Sequence, residues 1–195
     1  RYSFELPWRQ RLGTTIDADI TGAALNALAP ALLEDGVRSL VEEAVKSLAT
    51  LVSESGYVSG FSGISSETNA FVLMGLVAVG INPEGVSQLS DGTQVNFARS
   101  KGDLVSALLS FKTGAGSFRH TLEGSGNSMA TEQVLRALIA LDRYKSTGKA
   151  YNFYSSEADS GSVKVYRSTT LSSEGFSPSG LLASTQKTTL ASEAR

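Results

Sequence analysis

The sequence has 195 residues, enough for one domain with a sizeable hydrophobic core. Its net charge is -2 and only 18% of its residues are charged, so it has no basic face to neutralise the phosphates of a nucleic acid. No apolar run approaches the roughly 18 residues that a membrane span needs. Cysteine is absent, which excludes disulfides, thiolate nucleophiles and thiolate metal sites. The chain begins at Arg1 without a signal-peptide pattern, and we interpret it as a piece of a longer protein.

The first predicted pair of helices follows an irregular segment, residues 1–13. Asp17-Ala18-Asp19 predicts a helix start, because either carboxylate can accept hydrogen bonds from the free N–H groups of the first turn. Pro30 is expected to end or bend this helix, and Gly36 marks a tight connection. Apolar residues recur three and four apart over positions 40–51, which predicts an amphipathic second helix.

A second unit opens on the aromatic glycine turn Gly56-Tyr57-Val58-Ser59-Gly60-Phe61. The helix predicted from about Ser66 to Val79 is apolar nearly all round, which indicates burial on both sides, and Gly80 is placed for a left-handed cap. Residues 88–99 are expected to form a loop. Ser100-Lys101-Gly102-Asp103 resembles a capping box, with Asp in the acidic place, and predicts the start of another helix.

The third unit has the clearest pattern. Gly114-Ala115-Gly116-Ser117-Phe118-Arg119-His120 leads through a polar loop into a helix that is predicted to start at about Met129, to run to about Lys145 and to stop by Gly148. Beyond it, serine and threonine dominate, and residues 154–195 are expected to form a tail or linker with too few apolar groups to order itself. Within that tail, Val163-Lys164-Val165-Tyr166 alternates like a short strand.

The three apolar helices are related by an internal repeat. Ala24-Leu25-Asn26-Ala27-Leu28 superposes on Val72-Leu73-Met74-Gly75-Leu76 and on Val134-Leu135-Arg136-Ala137-Leu138, at intervals of 48 and 62 residues. A helical hairpin leaves an apolar flank that only a neighbour can cover, so we expect the units to stack as a row of inner helices with outer helices behind them. The alternative is an unrelated all-α bundle whose helices merely share leucine-rich patterning.

Lys112-Thr113-Gly114-Ala115-Gly116-Ser117-Phe118 and the helix start Met129-Ala130-Thr131-Glu132-Gln133 resemble the prenyltransferase and squalene-oxidase type repeat. The resemblance is to the version in bacterial secreted and cell-surface proteins, related to the helical barrel of the cobalamin carriers intrinsic factor and transcobalamin. Asp17 to Leu25 and Tyr57 to Ile81 fit the same pattern. The resemblance implies an all-α fold, a partial α/α toroid of stacked helical hairpins over residues 1–153, with 154–195 outside it. Three units can form only an arc of such a ring.

Enzymes that carry this repeat use two kinds of catalytic site, and the residues of each can be looked for in the sequence. Protein prenyltransferases hold zinc through an Asp, a Cys and a His, but this chain has no cysteine and one histidine, so no metal site is predicted. In terpene cyclases, the middle Asp of an Asp-x-Asp-Asp motif protonates an alkene. Asp19 falls at that position, but the last Asp is replaced by Ile20. Helix capping is the other explanation for Asp17 and Asp19.

Carboxylates at the helix starts are also compatible with an α/α-toroid enzyme that cleaves glycans. Glycoside hydrolysis needs two carboxyl groups about 5 to 10 Å apart, and Asp19 aligns with Glu67 in the repeat, with Glu132 near the third helix start. The helix dipole explains acidic residues at these positions equally well. His120, beside Arg119, has the chemistry of an acid, a base or a metal ligand, or makes only a local hydrogen bond.

The first functional hypothesis is a non-catalytic binding or scaffold domain of a bacterial surface or secreted protein. Its ligand would be a small molecule, a glycan or a protein, and neighbouring domains of a longer protein are expected partners. Cobalamin is implied by the resemblance alone, and no other cofactor is predicted. The predicted binding residues are Asp17, Arg119, His120 and Glu132. The alternative is a degenerate cyclase-like or glycan-active enzyme that uses Asp19 and Glu67.

The aromatic residues Tyr57, Phe61 and Phe118 are interpreted as anchors that pack under the helix ends.

Overall fold

A computed structural model describes residues 16–155. The chain forms five α-helices and three pairs of short strands in this range. They are α1 (Ala18–Leu28, continued by a 3₁₀ turn at Ala29–Ala31), α2 (Val37–Leu51), β1 (Ser59–Gly60), β2 (Gly63–Ile64), α3 (Ser66–Ala78), β3 (Val86–Gln88), β4 (Gln94–Asn96), α4 (Leu104–Leu109), β5 (Phe118–Arg119), β6 (Gly126–Asn127) and α5 (Ser128–Thr147).

The fold is helix-rich and mixed, because antiparallel strand pairs accompany the helices. β1 pairs with β2, β3 with β4, and β5 with β6. The expectation that residues 88–99 form only a loop was wrong: Ser87 pairs with Val95 across the β3–β4 hairpin, and both are buried. The strand expected at 163–166 and the tail from 156 onward lie outside the described residues.

Helix α3 is the centre of the described part of the chain, as its apolar sequence predicted. It packs against α1 on one side and α5 on the other. Val72 and Leu76 belong to the core shared with α1 and α2, whereas Leu73 and Val77 belong to the core shared with α4 and α5. Helices α1, α3 and α5 therefore pack in this order, with α2 against α1 and α4 against α3.

The helix starts repeat at the spacing that the sequence showed. Asp17, Ser65 and Asn127 are the N-caps of α1, α3 and α5, and they are separated by the same 48 and 62 residues. Each side-chain oxygen accepts a hydrogen bond from the backbone N–H three residues on, at 2.9, 3.1 and 3.0 Å. These bonds satisfy N–H groups that the helix itself cannot pair. At α4, the predicted box was misplaced, because Asp103 is itself the cap and Ser106 completes the box.

A second repeated position fastens each aromatic turn to its helix. Asn69 is fully buried; its Oδ1 accepts from the Val58 N–H at 3.0 Å and its Nδ2 donates to the Val58 carbonyl oxygen at 3.1 Å. The equivalent residue in α5 is Thr131, whose Oγ1 accepts from the Phe118 N–H at 2.8 Å. Both helices thus hold the turn of their own unit through the same position, one turn in from the cap.

Helices α1 and α3 cross at two glycines. A Cβ atom on Gly75 would lie 2.5 Å from the carbonyl oxygen of Gly22, and one on Gly22 would lie 2.6 Å from the carbonyl oxygen of Phe71. Only the missing side chains allow the two backbones to approach so closely.

The segment after α5 returns across the helices. The Tyr151 N–H donates to the Val77 carbonyl oxygen, and the Asn152 Nδ2 donates to the Asn26 carbonyl oxygen.

Candidate functional site

Acidic side chains gather at the N-terminal ends of the inner helices α1 and α3. Asp17 caps α1, and Asp19 lies in the first turn of the same helix. Asp19 reaches towards the next unit, because a Cβ atom on Gly60 would lie 2.5 Å from its Oδ2 and 2.9 Å from Thr68 Oγ1. The glycine in the β1–β2 hairpin therefore leaves room for this carboxyl group.

The environment of Asp19 favours its protonated form. Burial raises the pKa of the Asp19 carboxyl above its ordinary value, and the negative charges of Asp17 and Glu67 raise it further. A hydrogen bond with the side chain of Thr68 opposes this rise in pKa, but does not cancel it. Asp19 is thus a partly buried acid among other acids, an arrangement that makes the loss of its proton less favourable.

Glu67 occupies the same repeat position in α3 and faces the third unit. Its Oε2 lies 2.8 Å from His120 Nδ1 and accepts from Ser66 Oγ at 3.0 Å. The backbone N–H of Ser66 also donates to the His120 carbonyl oxygen at 3.0 Å, so the segment after β5 is fixed to the start of α3. The Glu67 side chain is only 12% exposed, and its Oε1 is buried with no hydrogen-bond donor among the described residues.

Exposed apolar side chains occur close in sequence to these carboxylates. Phe61 follows Gly60 in the β1–β2 turn and is 76% exposed, so the expectation that it packs as an anchor was wrong. Ile20 and Ile64 are also exposed. Tyr57 and Phe118 do pack inward: Tyr57 is edge-to-face with Phe111, and Phe118 is buried in the core around α5.

Two of the predicted binding residues pair with groups outside this cluster. Arg119 Nη1 donates to the carbonyl oxygen of Leu122, within its own loop. Glu132 forms an ion pair with Arg136 along α5. Asp17, Asp19, Glu67 and His120 are therefore the predicted residues that gather at the helix starts. Sequence reasoning missed Gly60 and Thr68, although Thr68 lies next to Glu67 and Gly60 lies in the predicted aromatic turn.

Within residues 16–155, no group of three or more histidine, aspartate or glutamate side chains is arranged to hold a metal ion. None of the helices described is both long and apolar enough to cross a membrane.

Comparison of the chain with protein-family models, with curated proteins and with solved structures found no significant match.

Proposed function

We propose that this chain is a non-catalytic binding or scaffold domain, and that its ligand contacts the N-terminal ends of the inner helices. In this proposal the helices form an arc of an α/α toroid of the prenyltransferase and squalene-oxidase repeat type. Equivalent N-caps and equivalent turn-holding residues in successive units support the repeat. The loops at one end of the arc then form the contact surface, as in a scaffold that positions binding loops.

The observation that carries the proposal is the buried Glu67 Oε1, which receives no hydrogen bond from any residue between 16 and 155. A carboxylate oxygen removed from water costs free energy unless a donor reaches it. His120 and Ser66 both engage the other oxygen of the same carboxylate. A ligand that brings an N–H or O–H group to Oε1 would complete this set of hydrogen bonds.

The chemistry of the ligand follows from the surroundings of Glu67. Carboxylates accept hydrogen bonds but donate none when ionised, and the exposed Phe61 ring, next to Gly60 in the β1–β2 turn, offers an apolar surface. A sugar has hydroxyl donors together with an apolar ring face, so a glycan fits best. A corrinoid is suggested by the resemblance to cobalamin carriers alone. By the same resemblance, we propose that the domain works outside the cell or on the surface of a bacterium.

Binding to immobilised oligosaccharides, with cobalamin as a separate probe, tests this function. We expect Glu67→Gln and Phe61→Ala each to weaken binding about tenfold, since each removes about one good contact. Glu34→Gln, at an exposed site in the connection after α1, is the matched control. Binding by the Glu67 and Phe61 variants at the wild-type level would contradict this placement of the site.

A degenerate acid catalyst is the second candidate, favoured by the raised pKa of Asp19. A carboxyl group that retains its proton can protonate an alkene or a glycosidic oxygen. Glu67 is the nearby carboxylate that would serve as its partner, since its charge acts on Asp19.

The two candidates differ in what Asp19→Asn does. An enzyme should lose turnover of polyprenyl or glycoside substrates and keep its fold, whereas a binding domain shows no turnover to lose. Substrate assays of the wild-type chain and of Asp19→Asn, together with circular dichroism of both, separate them. Turnover that Asp19→Asn abolishes would replace the binding proposal with the catalytic one.

A further inference from the structure

One side of α5 exposes apolar side chains at positions that the earlier helices of the internal repeat bury. We call the side of an inner helix that faces the following unit its forward face, and the opposite side its backward face. In α3, the forward face packs on α5 and is fully buried. It consists of Ala70, Leu73, Met74 and Val77.

The equivalent positions in α1 confirm that the face is a property of the repeat. Adding or subtracting the interval of 48 residues places Gly22, Leu25, Asn26 and Ala29 on the forward face of α1. All four are buried, and α1 packs there on α3. The same inter-helix contact therefore occurs twice, between α1 and α3 and between α3 and α5.

In α5, the same positions are open. The interval of 62 residues gives Glu132, Leu135, Arg136 and Ile139. Leu135 is 48% exposed and Ile139 is 47% exposed, whereas their equivalents Leu73 and Val77 are fully buried. Two large apolar side chains one helical turn apart are thus displayed where the preceding units bury theirs.

The backward face of α1 is the matching surface. The backward face of α3 includes Val72, Gly75 and Leu76, which lie against α1. The equivalents in α1 are Ala24, Ala27 and Leu28, and Ala27 is exposed while the other two are half-buried. Small residues on this face permit close approach of another helix, as the Gly22–Gly75 contact shows.

We propose that a second copy of this chain docks head to tail, with the backward face of its α1 on the forward face of α5. The contact would continue the interface that the chain already forms twice, and it buries Leu135 and Ile139 of one copy against Ala27 and Leu28 of the other. Glu132 and Arg136, at the positions of Ala70 and Met74, would enter this contact as an ion pair that neutralises both charges, and the Arg136 guanidinium lies 5.7 Å from the centroids of the Phe153 and Tyr154 rings. Because the two faces differ, the association is heterologous and extends with concentration rather than stopping at a two-fold dimer.

Sedimentation velocity of two complementary variants tests this proposal. Leu135→Glu/Ile139→Glu blocks the forward face of α5, and Ala27→Glu blocks the backward face of α1. We expect wild-type protein to associate as its concentration rises towards about 1 mM. Each variant alone should remain a monomer, and an equimolar mixture should form a 1:1 dimer, because one intact face remains on each partner.

Leu109→Glu is the matched control, since Leu109 is 44% exposed on α4 and should leave association unchanged. Circular dichroism confirms that each variant keeps its helices. A wild-type monomer throughout the concentration range would overturn the proposal. So would association of the Ala27→Glu variant with itself, which would indicate a two-fold contact through α5. Association that appears only when residues 156–195 are deleted would show that the tail covers this face in the same chain, and would also overturn it.

Discussion

Asp19 is the residue whose ionisation should affect folding most directly. Its pKa is raised in the folded chain, so the folded state holds the proton more tightly than the unfolded state does. The stabilisation is therefore complete below the ordinary pKa of 3.8 and is lost as pH rises through the folded pKa. Asp19→Asn removes the ionisation while an amide keeps the space filled.

We expect the melting temperature of Asp19→Asn, relative to wild type, to rise between about pH 3 and about pH 7. Thermal unfolding followed by circular dichroism across this range provides the measurement. Asp35→Asn, at an exposed position after the 3₁₀ turn, is the control and should show no comparable trend. A difference in melting temperature that is the same at both ends of the range would show that the Asp19 charge costs the fold nothing.

Asn69 should be the most costly single polar side chain to remove. Its amide pairs with both backbone groups of Val58 and with the carbonyl oxygen of Ser65, in a fully buried position. Asn69→Ala would leave two backbone groups of Val58 without partners, and each such group costs about 1–3 kcal/mol. We expect a loss of about 3 kcal/mol in the free energy of unfolding by urea denaturation.

The same substitution at an exposed site calibrates that figure. Asn96 makes one exposed bond, from the Ala98 N–H to its Oδ1 at 2.9 Å. Asn96→Ala should therefore cost less than about 1 kcal/mol. Equal losses for the two variants would mean that the attachment of the β1–β2 turn to α3 adds nothing to stability.

At the level of elements, the close crossing of α1 and α3 requires a glycine within each helix. Alanine is intrinsically a better helix former than glycine by about 1 kcal/mol. Gly75→Ala should nevertheless destabilise the chain by about 1–3 kcal/mol, because the new Cβ would be forced into the Gly22 carbonyl group. Ala137 holds the equivalent place in α5 and is fully buried against α3.

The comparison between these two positions makes the prediction specific. Ala137→Gly should cost about 1 kcal/mol, from helix propensity and lost packing. At this repeat position, glycine-to-alanine exchange in α3 and alanine-to-glycine exchange in α5 should therefore both lower stability. Urea denaturation of both variants provides the measurement. A stabilised Gly75→Ala would show that the two helices can separate without loss.

The helix boundaries that the sequence predicted correctly are those set by contacts within a few residues. Asp17 and Gly148 end helices through contacts within a few residues, so their types alone predict helix boundaries at Ala18 and Thr147. The β3–β4 hairpin was missed because three-residue strands are too short for a period of two to stand out. The repeat placed Asp19 and Glu67 at one end of the row, yet the meeting of Glu67 with His120, 53 residues away, depends on how the third unit folds back.

Phe61 shows a different limit. An aromatic residue in a glycine turn is more often an anchor than a displayed ring, and Tyr57 and Phe118 follow that rule. Nothing in the local pattern distinguishes Phe61 from them. Its exposure arises because β1 and β2 pair over only two residues and leave the turn projecting.

At the level of the whole described chain, the end of the row is tied back to its beginning. Pro30 lacks an N–H group, so the carbonyl oxygen of Asn26 cannot form the usual helical bond to the residue four positions on. Asn152 takes that place, and its Nδ2 donates to this oxygen at 2.8 Å across 126 residues of sequence. The proline that ends α1 thereby creates the acceptor that positions the segment after α5.

A double-mutant cycle isolates this long-range bond. Asn152→Ala should cost about 1–2 kcal/mol in the wild-type background, because it leaves the Asn26 oxygen without its donor. In a Pro30→Ala background the restored N–H can reach the same oxygen, so the cost should fall by about 1 kcal/mol. The local bond from the Tyr154 N–H to Asn152 Oδ1 is lost equally in both backgrounds and cancels from the coupling energy. Urea denaturation of the four proteins measures that coupling; a value of zero would mean that Asn152 acts only within its own turn, and that the first and last units are joined through α3 alone.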